Sequence, residues 1–309
     1  MSIHHWQLVM IVCTTISIST VFGQNPGIDP ISHSFFIAGP DFTGILDEEG
    51  SPVWDSGRPA ARDGFVFENG ETGVCWSDMF ILYDKDKNEI FRYHVDSSNQ
   101  ELGTVERLDE NLFLVAELGN NPRLIEINRN GIVQKEVPLL PETSNIHMQT
   151  RMARKLSNGN YLVPHLLAFA VKEYDGSGTV IRTFRTDLPE LGGKEAENWP
   201  FTAIRLPHGN TLINLTHGNK SIEVDPFGRV VWQVSNDDFK ENPFNDACGA
   251  QRLHNGNTVI AAYNAKTGIK LFEVTRDKQL VWRYEGPYRV HHFQILSTNG
   301  VKEKYPVLK

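Results

Sequence analysis

Ala250-Gln251-Arg252-Leu253-His254-Asn255-Gly256-Asn257-Thr258-Val259-Ile260 is the stretch that decides the fold of this chain. Apolar residues flank an Asn-Gly-Asn core on both sides. An Asn-Gly pair between apolar runs is a strong hairpin signal, because both residues tolerate the positive φ of a primed turn. The stretch therefore reads as a strand, a tight turn and a returning strand. The same unit recurs at residues 154–163, around Leu156-Ser157-Asn158-Gly159-Asn160, and at residues 204–213, around Leu206-Pro207-His208-Gly209-Asn210. Weaker copies lie at residues 106–112 and 294–300.

A second pair of strands follows each hairpin. After Ile260 comes Lys270-Leu271-Phe272-Glu273-Val274, a turn, and Gln279-Leu280-Val281-Trp282. Equivalent segments occupy residues 43–54, 79–91, 123–134, 171–182 and 221–232, with turns near residues 50, 88, 131, 178, 228 and 278. A period of 38 to 50 residues, each holding four short strands, is that of a propeller blade. Trp54, Trp232 and Trp282, with Phe91, hold one equivalent place in the fourth strand, where a large aromatic packs between blades. The ends of the chain complete the count. Residues 34–38 read as a second strand lacking a first, and residues 291–296 as a first strand lacking its successors. Joined, they form one blade and leave the ring no free edge. The expected architecture is an all-β, six-bladed β-propeller of four-stranded antiparallel blades over residues 34–301. N-terminal strands B, C and D and a C-terminal strand A close the ring, with a lead-in at 24–33 and a tail at 302–309.

The chain has 309 residues, 40% of them hydrophobic, enough for a large core. A net charge of -8 with no basic run argues against nucleic acid as a partner. Residues 8–21 are apolar and uncharged, and Val21-Phe22-Gly23 offers a cleavage site before Gln24. Residues 1–23 therefore read as a signal peptide of a secreted or periplasmic protein with no membrane span after cleavage. The mature chain is expected to be a monomer. Its two cysteines, Cys75 and Cys248, either pair or stay as buried thiols. Asn214-Leu215-Thr216 and Asn219-Lys220-Ser221 match the glycosylation sequon.

These repeats resemble the arylsulfotransferase-like and quinoprotein-like propeller families, in which a leucine, an Asn-Gly-Asn turn and a later Gly-x-Val-Val-Trp recur in each blade. The ending Arg289-Val290-His291-His292-Phe293-Gln294 places the chain nearest an exported branch of them. The resemblance covers residues 34–300 and implies a propeller. In that family a histidine five residues before the repeat leucine transfers sulfate. The matching positions here are Gly103, Arg151, Phe201, Cys248 and His291, so the resemblance carries that role to His291 alone.

In a propeller the D-to-A and B-to-C connections open on one face, around the central channel, and the Asn-Gly-Asn turns lie on the other. The D-to-A loops here are long, and long loops on a rigid scaffold collect functional residues. Their ends carry His147, Arg151, Trp199, Asp246, Cys248, His291 and His292. The ends of the second strands carry Trp76, Glu117, His165 and His217. His147, His165, His217 and His291 can supply neutral imidazoles to a divalent transition metal, a candidate cofactor, with Glu117 or Asp246 as an oxygen ligand. Arg58, Arg62, Arg151 and Arg289 on the same face suit a sulfate or carboxylate. Two functions fit. One is a binding module for a glycan or small anion, held by His147, His165, His217, Trp76, Trp199, Glu117, Asp246, Cys248 and Arg289. The other is an enzyme at the same mouth with His291, His292 and Arg151 as catalytic residues. Its reaction would be sulfuryl transfer through His291, or metal-assisted lysis or hydrolysis of a charged polysaccharide. Residues 84–89 begin like a calcium loop, but lack its glycine and closing glutamate.

Overall fold

The structure is a computed structural model that describes residues 30–309. The signal-peptide reading at 1–23 and most of the lead-in lie outside the described residues. Six antiparallel sheets form a six-bladed propeller. Strands A to D are Asp63–Val66, Thr72–Cys75, Met79–Tyr83 and Glu89–His94 in the second blade, and Asn99–Arg107, Leu112–Gly119, Arg123–Asn128 and Val133–Pro138 in the third. They are Arg154–Lys155, Tyr161–His165, Ala170–Tyr174 and Val180–Arg185 in the fourth, and Pro200–Arg205, Thr211–Leu215, Lys220–Val224 and Val230–Ser235 in the fifth. The sixth has Ala247–Arg252, Thr258–Ala262, Leu271–Val274 and Leu280–Tyr284. The first blade is made from both ends of the chain. His33–Ala38, Thr43–Leu46 and Pro52–Asp55 are its strands B, C and D, and His292–Thr298 is its strand A, with Ile37 opposite Phe293 and Ala38 opposite His292. No sheet edge is left open at the junction, which removes a site for unwanted strand pairing.

Six apolar clusters each fill one seam between neighbouring blades. The strand-D aromatics serve these seams. Trp232 and Phe91 belong to the clusters of their blades, and Trp54 and Trp282 pack against theirs. The outward residues of strands D stay exposed, Val53, Ile90 and Ile181 among them.

The Asn-Gly-Asn turns differ from the expected primed form. Gly159, Gly209 and Gly256 take φ of 87°, 96° and 89°, whereas Asn158 and Asn255 do not enter the positive region. Instead Asn158 Oδ1 accepts the Asn160 amide at 3.0 Å and Asn255 Oδ1 accepts the Asn257 amide at 2.9 Å. Each side chain closes a local turn on itself, leaving only glycine in the left-handed region. The second asparagine has a longer-range task. Asn160, Asn210 and Asn257 donate Nδ2 to Glu173, Glu223 and Glu273 on strand C of the same blade. Those carboxylates then hold the next blade: Glu173 pairs with Arg205, Glu223 with Arg252, and Glu273 with His33 across the closing seam. The turn motif is thus half of an inter-blade latch.

Cys75 and Cys248 are both free and buried, in the second and sixth blades, so the disulfide alternative does not hold. Burial pushes both thiols upward, which keeps them protonated. Asn214 is fully buried and donates Nδ2 to the carbonyls of Cys248 and Gly249, which removes it as a glycan acceptor in the folded chain. No helix among the described residues is long and apolar enough to cross a membrane.

Candidate functional site

The long D-to-A loops and the B-to-C connections meet around the channel mouth, as the strand order requires. A cavity of about 160 Å³ opens there, lined by residues that include Arg151, Trp199, Phe201, His217, Tyr263 and His291. A second recess of about 140 Å³ adjoins it between Arg62, Ala60 and Pro40. His147, Tyr263 and His291 line both. Of the residues singled out in the sequence, the mouth brings together His147, Arg151, Trp199, His217, Asp246, Cys248 and His291.

Arg151 lies at the base of the cavity and is 2% exposed. Its Nη1 donates to the Thr150 carbonyl at 2.7 Å, and no carboxylate among the described residues lies within ion-pairing range. Burial, reinforced by the Arg62 guanidinium and opposed by the Glu101 carboxylate, draws its pKa from the ordinary arginine value down to about 9. Arg62 is different, because Glu101 pairs with it at 2.7 Å. Glu101 is held down to about 2 by His147 and Arg62, against a burial effect that opposes them. Arg58 and Arg289 are likewise paired, with Asp78 and Asp41 at 2.8 Å. Among the described residues Arg151 is therefore the mouth arginine with no carboxylate in contact, and Glu101 acts on its charge only from a distance.

His291 sits edge-on between Phe201 and Tyr263, with ring centroids 4.8 and 5.0 Å away. Its Nδ1 is 3.1 Å from the Arg62 carbonyl, so Nδ1 carries the proton and Nε2 keeps its lone pair without a partner among the described residues. Burial, with the positive charge of Arg151, lowers its pKa to about 3, and the ring is neutral at any physiological pH. On the opposite wall Trp199 stacks on His217, centroids 4.0 Å apart and planes 22° from parallel. His217 Nδ1 lies 3.2 Å from Glu197, and its Nε2 lies 3.9 Å from Asp246.

Five of the sequence-derived residues lie elsewhere. His165 is buried, with Nε2 2.8 Å from the Tyr174 hydroxyl, and its pKa falls to about 3 through burial. Glu117 is buried and accepts from Tyr93, Asn99 and Arg123, so it is a packing carboxylate. Trp76 is buried and donates its indole N–H to the Pro59 carbonyl. Arg289 is engaged by Asp41. His292 points the other way from His291, because consecutive strand residues face opposite sides. It is fully buried, with Nε2 3.0 Å from Asp63 on the channel axis, and burial holds it well below the ordinary histidine range. Of the four histidines expected to share a metal, His147, His217 and His291 line the mouth while His165 is buried against Tyr174, and among the described residues no three His, Cys, Asp or Glu side chains form a group that could hold a metal ion. Tyr263, Phe201 and Arg62 are mouth residues that the sequence reading either missed or left without a defined role. An aromatic at the repeat position of Phe201, where His291 stands in the first blade, was the available signal.

A scan against protein-family models gives no match, and a search of the curated proteins gives none. Solved structures do match. A protein of unknown function from Bacteroides caccae superposes with a TM-score of 0.73 over 85% of this chain and 98% of its own, at 18% identity. A streptogramin B lyase matches with a TM-score of 0.57 over 84% of each chain at 12% identity. The virginiamycin B lyase of Staphylococcus aureus matches at 0.53, over 74% of this chain and 70% of its own, at 11% identity. These likenesses show the β-propeller fold.

Proposed function

We propose that this chain is an exported propeller that binds an anionic ligand, a carboxylated or sulfated glycan or small molecule, in the mouth cavity. The observation that carries this reading is Arg151, a buried guanidinium with no carboxylate in contact among the described residues, in the lining of an aromatic-walled cavity. A buried unpaired charge is costly, and an oxyanion that accepts from it in bidentate fashion offsets that cost. Trp199, Phe201 and Tyr263 supply apolar faces for a cyclic body, and neutral His291 supplies a hydrogen-bond acceptor. The test is a thermal-shift and calorimetric titration of residues 24–309 with sulfate, acetate, glucuronate and neutral glucose, followed by a glycan array. Anions should bind and glucose should not. Binding of glucuronate that persists in Arg151→Met would refute the reading.

A second reading rests on the His291 tautomer. A neutral imidazole with its proton fixed on Nδ1 and a free Nε2 facing a cationic cavity is a competent nucleophile. Its attack on a sulfate ester would form an N–S bond and expel the ester oxygen. The arylsulfotransferase-like alternative thus predicts a sulfuryl adduct on the peptide that contains His291. Incubation with an aryl sulfate and peptide mass analysis decide it, and an unmodified peptide removes this alternative.

A further inference from the structure

Beyond Thr298 the chain crosses the turn face of the propeller. Val301–Lys302 pairs with Ser297 and Thr298, and Glu303 donates its amide to the Leu296 carbonyl. His254 Nε2, at the tip of the sixth blade's hairpin, lies 2.8 Å from the Lys304 carbonyl. The Arg107 guanidinium of the third blade sits 5.9 Å from the Tyr305 ring centroid. The Arg252 amide donates to the Leu308 carbonyl at 2.9 Å, and Arg154 Nε of the fourth blade donates to the Lys309 carbonyl at 2.9 Å. Residues 303–309 thus touch strand A or its following turn in four blades, and the Lys309 side chain reaches strand A of a fifth at Gly64, which lays them across the end of the channel opposite the mouth.

Lys309 ends in the channel itself. Its Nζ donates to the Gly64 carbonyl and lies 3.0 Å from His292 Nε2 and 3.6 Å from Asp63 Oδ1. Asp63 also accepts from Val105 N at 3.1 Å, from Thr104 Oγ1 and from Arg154 Nη1 at 3.2 Å. Asp63 and His292 are 0% exposed. Each is the chain neighbour of a mouth residue, Arg62 and His291, and those two are joined by the 3.1 Å contact between His291 Nδ1 and the Arg62 carbonyl. Two adjacent dipeptides therefore each put one side chain in the mouth and the next in the axial cluster.

We propose that residues 303–309 are a strap that sets the mouth from the opposite face, with Lys309 as a positioning residue. By holding Asp63 and His292, its ammonium fixes the peptide units that orient Arg62 and His291, and so fixes the His291 tautomer and ring. This rests on the mouth being the site, but the contacts of the strap stand apart from any ligand.

The experiment is nitrogen-15 NMR of the histidine rings in residues 24–309, recorded without ligand. Lys309→Met should shift the His291 and His292 nitrogens, and leave His217, on the far wall, unmoved. In Lys309→Ala, n-propylammonium should restore the wild-type His291 signals and n-propanol should not, because the missing element is a cation of that length. A folded Lys309→Met protein with unchanged His291 nitrogens would overturn the proposal and leave the strap a plug. Should neither Lys309 variant fold, Tyr305→Ala loosens the strap outside the buried cluster, with His254 as the reporter of release. A His254 signal that moves while His291 stays fixed would likewise overturn it. A mouth that binds no anion leaves all these outcomes intact, so the two readings fail separately.

Discussion

Arg151→Met should make the protein more stable while abolishing anion binding. The guanidinium is 2% exposed and faces no carboxylate, so the folded state carries its desolvation without a compensating pair. At about 1.36 kcal/mol per pKa unit, the fall from 12.5 to about 9 corresponds to an upper bound of about 5 kcal/mol. Relaxation of the site and loss of the hydrogen bond to the Thr150 carbonyl, about 1 kcal/mol, reduce the gain to about 1–3 kcal/mol. At roughly 2.1 cal/mol/K of unfolding entropy per residue, each kcal/mol moves the Tm of a chain this size by about 1.5 °C. Scanning calorimetry at pH 7 should therefore place Arg151→Met about 2–4 °C above the wild type. The pH dependence has a definite sign. A base whose folded pKa is lowered holds fewer protons folded than unfolded between the two values, so the penalty is complete below about pH 9 and lifts as pH rises beyond it. The gap between variant and wild type should narrow in that direction. Saturating sulfate or glucuronate should raise Tm in the wild type by mass action and leave the variant unmoved. A variant that melts lower than wild type at pH 7, with anion-induced stabilisation intact, would mean that Arg151 is a satisfied structural cation.

Asn255→Ala should cost about 1 kcal/mol of stability, read by urea denaturation, because the turn loses the bond to the Asn257 amide. Its affinity for the mouth anion should equal wild type, since that turn lies on the opposite face. Glu223 binds Asn210, Arg252, Arg276 and His208, and Asn210, Arg276 and His208 hold its carboxyl from 4.5 down to about 2 against burial. Its contribution is present above pH 4.5 and lost as pH falls toward 2, so the stability deficit of Glu223→Gln, about 3 kcal/mol at neutral pH, should shrink through that window. Gly39→Ala should destabilise by about 1–3 kcal/mol on thermal melting, since an added Cβ would stand 2.0 Å from the Arg289 carbonyl beside the mouth. Deleting residues 290–309 removes His292–Thr298 and with it the inner strand of the closing blade, so cooperative unfolding should disappear in calorimetry.

The sequence by itself determined the blade. Turn chemistry at Asn158-Gly159, Gly209-Asn210 and Asn255-Gly256 acts over a few residues, and the period of the copies counts six of them, so both can be read along the chain. The closing pair of strands was legible for the same reason, as two incomplete blades that complement one another. Loop length also located the mouth, and seven of the chosen residues line it. What the chain does not display is which of those residues remain unpaired. Glu101 pairs with Arg62 across 39 positions and no carboxylate among the described residues contacts Arg151, a difference made by how third and fourth blades pack against the second. His291 and His292 are neighbours in sequence, yet one walls the cavity and the other is sealed against Asp63 and Lys309. Strand alternation predicts that they part, but only the tilt of the strand around the axis decides which way each one faces. The strap is likewise invisible in residues 303–309, whose contacts are made with hairpins and strands as much as 245 positions away. Short-range hydrogen bonding is encoded locally and survives in the text of the sequence. Charge balance and burial are sums over all neighbours in space, and exist only once the ring has closed.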